Sequence, residues 1–88
     1  MGLIQLSPRA LFQRVGSETV ILDLEKGTYF ELNEMGTLML EWMASLPDRE
    51  SVIAKVLNQF EVSQDIVAED LEALIQGLSR NGLLVSPA

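Results

Sequence analysis

The sequence predicts an α+β domain in which a three-stranded antiparallel sheet is followed by three helices, as in winged helix-turn-helix modules. Two observations predict this order. Residues 18–24 and 28–32 are rich in β-branched, aliphatic and aromatic side chains and flank a Glu-Lys-Gly turn, a pattern typical of a hairpin. From Asn33 to Gly82, apolar residues recur at helical spacing. Because 48% of the 88 residues are hydrophobic, we expect one undivided domain over residues 1–88.

The N-terminal segment is predicted to supply the first strand. Residues 3–6 and 11–15 alternate only in part between apolar and polar side chains. Pro8 lies between them and lacks the N–H that a continuous ladder needs. We therefore expect either two short strand pieces, or one strand and an arm, before the turn at Gly16-Ser17.

The hairpin is the element around which the rest of the chain is organised. Alternation along its second strand puts Thr28, Phe30 and Leu32 on one face, and Phe30 and Leu32 are the expected core members. This strand is short and ends at Asn33, which suits the cap of the next helix. We therefore expect it to lie beside the helices with an open edge, where a peptide can add as a further strand.

The three helices are predicted from their caps and their apolar stripes. Suitable N-cap residues are Asn33, Asp48 and Ser63. The first helix is expected over residues 34–46, because Pro47 ends it. The third helix is expected to end at Gly82, in the position of a C′ glycine, with residues 83–85 docking as a short extended tail. Its apolar stripe consists of Val67, Leu71, Leu74, Ile75 and Leu78.

The composition argues against catalytic and metal chemistry. The chain has neither cysteine nor histidine, so the common thiolate and imidazole groups are missing. No serine lies in a G-x-S-x-G turn, and no Gly-rich phosphate loop is present. Asp65 and Glu69 lie one helical turn apart, but such pairs on a helix are typical of a solvated face. We expect no catalytic residue, no metal site and no cofactor.

The charge argues against a nucleic-acid partner. The net charge is −7, from 13 acidic and 6 basic residues, whereas duplex binding depends on lysine and arginine at phosphates. The third helix carries four acidic residues against Arg80 alone. No apolar run approaches the length of about 18 residues that a membrane span requires, and the N-terminus lacks the basic start of a secretory signal. We expect a cytoplasmic protein that binds neither nucleic acid nor membrane.

Two stretches resemble the signature of PqqD-like proteins. In residues 20–36 an apolar strand is followed by Gly27, then by a pair of aromatic residues, then by Leu32-Asn33 at the strand-to-helix junction. At the other end, the leucine-rich third helix followed by residues 81–84 (Asn-Gly-Leu-Leu) is similar to the closing pattern of the family. The resemblance extends over about residues 18–85.

The resemblance implies a recognition element for the precursors of ribosomally synthesised and post-translationally modified peptides. In that family the leader of the precursor adds as a strand to the third β-strand and lies against the third helix. Carried over to this sequence, the strand is residues 28–32 and the helix is residues 64–81. The candidate peptide-binding residues are Thr28, Tyr29, Phe30, Glu31, Leu32, Val67, Asp70, Leu71 and Leu74.

The helical wall of such a groove is predicted from helical rotation. Val67, Leu74 and Leu78 are expected at the centre of the buried stripe, with Asp70 and Leu71 on its two flanks. We therefore expect Leu71 and Asp70 to be better groove residues than Leu78. Acidic groove edges at Glu31, Glu69 and Asp70 would favour a leader that carries lysine or arginine.

The partners are also implied by the resemblance. A free-standing domain is similar to the leader-binding proteins of lasso peptide biosynthesis, which work with a transglutaminase-like leader peptidase and an asparagine-synthetase-like cyclase. A PqqD-type peptide chaperone for a radical SAM enzyme is the alternative. Two other classes stay open at this point: a winged-helix protein-binding module of a transcription-related complex, and a small structural subunit of an enzyme.

Overall fold

A computed structural model describes residues 2–85 of the chain. The elements are β1 (Ala10–Val15), β2 (Glu18–Asp23), β3 (Tyr29–Leu32), α1 (Glu34–Ser45), α2 (Arg49–Gln59) and α3 (Gln64–Arg80). The predicted α+β class, three antiparallel strands followed by three helices, is confirmed, and the winged helix-turn-helix label describes it loosely.

The sheet has the order β1-β2-β3, with both neighbouring pairs antiparallel. Ile21, in the middle strand, lies opposite Phe12 on one side and Phe30 on the other. Its side chain is fully buried, together with Asp23 on the same face. The turn between β2 and β3 contains Gly27 at φ 73°, as the predicted hairpin requires.

The helix caps are those that the sequence predicts. The side chain of Asn33 accepts a hydrogen bond from the Gly36 N–H at 2.9 Å. Asp48 and Ser63 accept in the same way from the N–H groups three residues ahead, at 2.8 and 3.3 Å. Each cap satisfies a donor that the first helical turn would otherwise leave unpaired.

The end of α3 is a Schellman motif. Gly82 has φ 71°, its N–H donates to the Ser79 carbonyl at 3.0 Å, and the Leu83 N–H donates to the Leu78 carbonyl at 2.9 Å. Leu83 is then fully buried in the core. The predicted C′ glycine and docked tail are both confirmed.

The N-terminal segment forms one strand and an arm, the second of the two expected alternatives. The arm packs on the end of α1, where the Leu3 and Ile4 N–H groups donate to the Leu46 and Met43 carbonyls at 2.7 and 3.1 Å. Further along the arm, Leu6 forms an isolated antiparallel bridge with Leu84 of the tail. Arm and tail together close the core below the sheet.

Candidate functional site

A groove lies between the open edge of β3 and the facing side of α3. Its walls are Phe30, Glu31 and Leu32 from the strand and Ala73, Leu74 and Gly77 from the helix. Ile21, Leu78 and Leu83 form its floor, and its volume is about 170 Å³. We call this feature the β3–α3 groove.

The backbone at the β3 edge faces the groove at alternate residues. The Asp23 N–H donates to the Thr28 carbonyl at 2.8 Å, which makes these two residues a hydrogen-bonded pair of the antiparallel ladder. Because such pairs alternate with non-bonded pairs, the backbone groups of Phe30 and Leu32 face β2. The N–H and C=O groups of Tyr29 and Glu31 therefore point away from the sheet and are available to a further strand.

The side chains of β3 divide between the two faces of the sheet. Phe30 and Leu32 are half-buried and pack against the core, as expected. Thr28, which directly precedes β3 and was expected within it, is exposed. Glu31 is also exposed, and Tyr29, which is 63% exposed, lies on the outer face of the sheet. All five strand residues of the expected site thus lie at or beside the open edge, and Phe30, Glu31 and Leu32 line the groove.

On the helix, two of the expected groove residues are in the core. Val67 and Leu71 have no exposed surface, so the expectation that Leu71 flanks the groove is wrong. The reason is the rotation of α3: its buried seam is formed by Val67, Leu71, Ile75 and Leu78. Leu74, which was expected at the centre of the stripe, instead lies to one side of this seam and is the apolar wall of the groove.

Asp70 lies on the groove side of α3. It precedes Ala73, Leu74 and Gly77 by three, four and seven residues, which places it on the same flank of the helix. Asp70, Glu69 and Glu31 are all exposed. The groove therefore has an apolar interior with Glu31 and Asp70 beside it, whereas Glu69 is rotated about 100° from Asp70 around the helix axis.

Ala73 and Gly77 line the groove but were not among the residues expected from the sequence. A Cβ atom added at Gly77 would meet nothing within 4 Å, so the absence of a side chain leaves space at this point. Glycine inside a helix costs about 1 kcal/mol relative to alanine. Two small residues four apart beside an apolar stripe are the signal from which this wall could have been found.

A polar cluster ties the end of α3 to the β2–β3 hairpin. The Arg9 guanidinium donates from Nη2 to Asp23 Oδ2 at 3.2 Å and to the Asn81 carbonyl at 2.8 Å. Asp23 Oδ1 also accepts from the Glu25 and Lys26 N–H groups at 3.0 and 3.2 Å. We call this cluster the Arg9 clamp, and it holds together the two elements that form the groove.

The carboxyl group of Asp23 is ionised within this clamp. Burial alone would raise its pKa, but the hydrogen bonds from Lys26 and Glu25 and the charge of Arg9 outweigh burial, so the pKa lies below its ordinary value of 3.8. A buried carboxylate with three donors is stable as the anion. The clamp is therefore formed at neutral pH.

Residues 2–85 contain neither a membrane-spanning helix nor a cluster of metal-binding side chains. None of the helices within residues 2–85 combines the length and the apolar character needed to cross a membrane. In the same part of the chain, no three acidic side chains converge in a manner suited to a metal ion.

Fold and groove define a class of small α+β domain with an open strand edge beside a helix, a geometry suited to peptides. Residues 18–84 match the family described as coenzyme PQQ synthesis protein D (PqqD). The chain belongs to the PqqD family, and the resemblance seen in residues 20–36 is confirmed. Among curated proteins, none matches this sequence.

Two solved structures share the fold. A chain described as TbiB1 in complex with the TbiA(beta) leader peptide is 24% identical, with a TM-score of 0.82 over 97% of this chain and 99% of that chain. A lasso peptide synthetase B1 complexed with the leader peptide is 22% identical, with a TM-score of 0.84 over 97% of this chain and 100% of that chain. At these identities, the likeness shows that the whole fold is shared.

Proposed function

We propose that this protein binds the leader segment of a ribosomally synthesised precursor peptide, which adds as a fourth strand at the edge of β3. The observation that carries the proposal is the β3–α3 groove, where unpaired backbone groups of Tyr29 and Glu31 border an apolar channel. Two proteins of the same fold are described with a leader peptide bound, which supports this choice of ligand.

The affinity would come from two sources. Pairing with Tyr29 and Glu31 offers up to four backbone hydrogen bonds, each contributing about 1 kcal/mol or less, because both partners are hydrated before binding. Apolar side chains of the leader that enter between Phe30 and Leu74 would contribute roughly 2 kcal/mol each by leaving water. Selectivity therefore depends more on the groove than on the backbone ladder.

The charges near the groove favour a basic leader. Glu31 lines the groove and Asp70 lies on the groove side of α3, and both are exposed on a chain of net charge −7. Such long-range attraction acts on the association rate more than on the dissociation rate, and salt screens it. Lysine or arginine residues close to the apolar anchors are the expected complement.

In this proposal the domain presents the leader and a separate enzyme performs the reaction, in the cytoplasm. A transglutaminase-like leader peptidase of lasso peptide biosynthesis is the proposed partner, because both solved structures of the fold are described as leader complexes and one as a lasso peptide synthetase B1. The alternative is that the domain acts as a PqqD-type peptide chaperone for a radical SAM enzyme, and the match to the family of coenzyme PQQ synthesis protein D supports that alternative.

The division of labour can be tested by mass spectrometry. Incubation of the precursor with this protein alone should leave its mass unchanged, and addition of the peptidase should release the leader. Faster release with this protein than with the peptidase alone is the expected result. Cleavage by this protein in the absence of any peptidase would contradict the proposal.

Strand addition is tested by a proline at an outward-facing position of β3. Glu31→Pro removes one N–H that would donate to the leader, whereas Glu31→Ala removes the charge but keeps that donor. Relative to Glu31→Ala, the proline variant should bind labelled leader about 5-fold more weakly, the equivalent of one hydrogen bond. Both variants should keep the circular dichroism spectrum of the parent, because this N–H makes no bond within the sheet.

Hydrogen exchange gives an independent readout on the parent protein. On saturation with leader, the Tyr29 and Glu31 amides should become protected, while the Phe30 amide is already protected by β2. Unchanged exchange at Tyr29 and Glu31 would place the peptide elsewhere and would remove the basis of the proposal.

A further inference from the structure

The sheet has a second open edge, on the side away from the β3–α3 groove. β1 is the other outer strand, and its Arg9 carbonyl accepts a hydrogen bond from the Leu24 N–H at 2.9 Å. Because hydrogen-bonded and non-bonded pairs alternate along the ladder, the backbone N–H and C=O groups of Leu11, Gln13 and Val15 face β2. The N–H and C=O groups of Phe12 and Arg14 point outward, and nothing in residues 2–85 is hydrogen-bonded to them.

The space beneath this edge is also open. Helix α1 packs below β2 and β3, which leaves a cavity of about 300 Å³ under β1. Phe12 and Leu40 contribute to its apolar lining, and the ion pair between Arg14 and Glu41, at 3.0 Å, borders it. Helix α1 thus lines the cavity below the edge, while the outward backbone groups of Phe12 and Arg14 have no hydrogen-bond partner within residues 2–85.

The composition of β1 suits a second copy of the same chain. Although the net charge is −7, β1 contains no carboxylate, and its one charge, Arg14, is already paired with Glu41. Leu11 and Val15 are 50% and 59% exposed. The strand also lacks the proline and lysine residues with which exposed edges are commonly protected from pairing.

We propose that two copies associate through β1, forming a continuous six-stranded sheet whose two-fold axis passes between the two Gln13 residues. In this antiparallel register, Phe12 of each copy forms a hydrogen-bonded pair with Arg14 of the other. The four outward groups of each chain are then all satisfied, through four intermolecular hydrogen bonds.

The side chains favour this register over the one that is shifted by two residues. Leu11 of each copy lies opposite Val15 of the other, so the contact between the two exposed apolar residues occurs twice in the dimer. The two Gln13 amides meet on the axis. A shift by two residues would place Leu11 opposite Gln13 and Val15 opposite Arg9. The proposal does not depend on peptide binding, and it leaves both β3–α3 grooves free at the outer ends of the sheet.

The dimer should be weak and dependent on concentration. A contact along one six-residue strand belongs with the smallest specific interfaces. In sedimentation equilibrium the apparent mass should therefore rise from one chain towards two over about 10 μM to 1 mM, the range of a small interface. A mass that stays at one chain throughout this range would overturn the proposal.

Charge substitution at Gln13 tests the position of the axis. Gln13→Glu and Gln13→Lys each bring two like charges together and should weaken self-association about 10-fold or more, while an equimolar mixture of the two should associate at least as well as the parent. Gln59→Glu, an exposed glutamine at the end of α2, makes the same change in net charge and should leave association unchanged. Equal association of Gln13→Glu and Gln59→Glu would contradict the register.

Disulfide cross-linking gives a second test, because the chain contains no other cysteine. Across the axis the two Gln13 Cα atoms form a non-bonded pair about 4.5 Å apart, within disulfide reach. The two Leu11 Cα atoms are about 13 Å apart along the strands. Gln13→Cys should therefore oxidise to a covalent dimer at least 10-fold faster than Leu11→Cys, and equal rates would overturn the proposal.

Discussion

Leu71 and Leu74 are three residues apart on α3, yet Leu71 is sealed in the core and Leu74 lines the β3–α3 groove. They differ in direction by about 60° around the helix axis. At the scale of single residues, this rotation decides which leucine supports the fold and which one is available to a peptide.

The two leucines should therefore respond differently to truncation. Leu71→Ala should lower the free energy of unfolding by about 2–5 kcal/mol, because it leaves a cavity in the core. Leu74→Ala should cost less stability but weaken leader binding about 5- to 20-fold, since it removes an apolar wall. Chemical denaturation and a fluorescence titration would measure both effects, with the exposed Arg80→Ala as a variant expected to change neither. Leader binding by Leu74→Ala at the parent's affinity would remove α3 from the site.

The same two leucines separate what the sequence predicts about α3 from what only the packing determines. The caps at Asn33, Asp48 and Ser63 were predictable because each depends only on the residues directly after it. The stripe on α3 was predictable as a period. Its rotation was not, because packing against α2 and the sheet fixes which side of the stripe faces inward.

At the scale of elements, the hairpin was predicted without an alternative, whereas the arm was one of two expected arrangements. The β2–β3 turn is local, since Gly27 and the alternation on either side of it determine the pairing. The arm is held by contacts with α1 and the tail, which lie about 40 and 80 positions further along the chain. Pro8 excluded a continuous strand, but nothing in residues 3–6 indicates what they pack on.

The groove has one wall that was predictable from the local sequence and one wall that was not. Its strand wall was expected because β3 is short, ends at a helix cap and has no partner strand to follow it in the sequence. Its helix wall includes Ala73 and Gly77, whose importance lies in the space that they leave rather than in any side chain. Chemical motifs do not reveal residues of this kind.

At the scale of the whole molecule, the Arg9 clamp connects parts that are remote in the sequence. The hydrogen bond from Arg9 to the Asn81 carbonyl spans 72 residues. A Cβ atom at Gly82 would lie 2.9 Å from Arg9 Nη2, so a side chain at this position would displace the guanidinium from the clamp, in addition to being disfavoured by the positive φ. Neither contact has a signature in the sequence.

The clamp predicts sensitivity to acid. Because the pKa of Asp23 is lowered in the folded protein, the stability that its ionisation contributes is fully present above the ordinary value of 3.8 and is lost as the pH falls through the lower, folded value. Asp23→Asn should be less stable than the parent at neutral pH, and should lose less stability between about pH 5 and pH 2. Urea unfolding at both pH values measures the difference.

Asp48→Asn is the matched control for this experiment. The pKa of Asp48 is also lowered, by the hydrogen bonds from the Ser51 backbone and side chain, so Asp48→Asn should likewise lose less stability in acid than the parent. Asparagine is, however, an equally good N-cap. The stability of Asp48→Asn at neutral pH should therefore be close to that of the parent. If Asp23→Asn and the parent lose stability equally in acid, Asp23 is not the group that sets the acid response.

β3 has only four residues, and this limits how much of a partner's sequence the domain can read. A strand of that length spans about 13 Å, and only alternate residues of an added peptide would face the β3–α3 groove. The proposed function therefore rests on about two side chains, distinguished by size and apolar character. If only two side chains of a leader are recognised, its other positions are free to diverge in sequence. One recognition domain can then serve many different precursor peptides that share the same two residues.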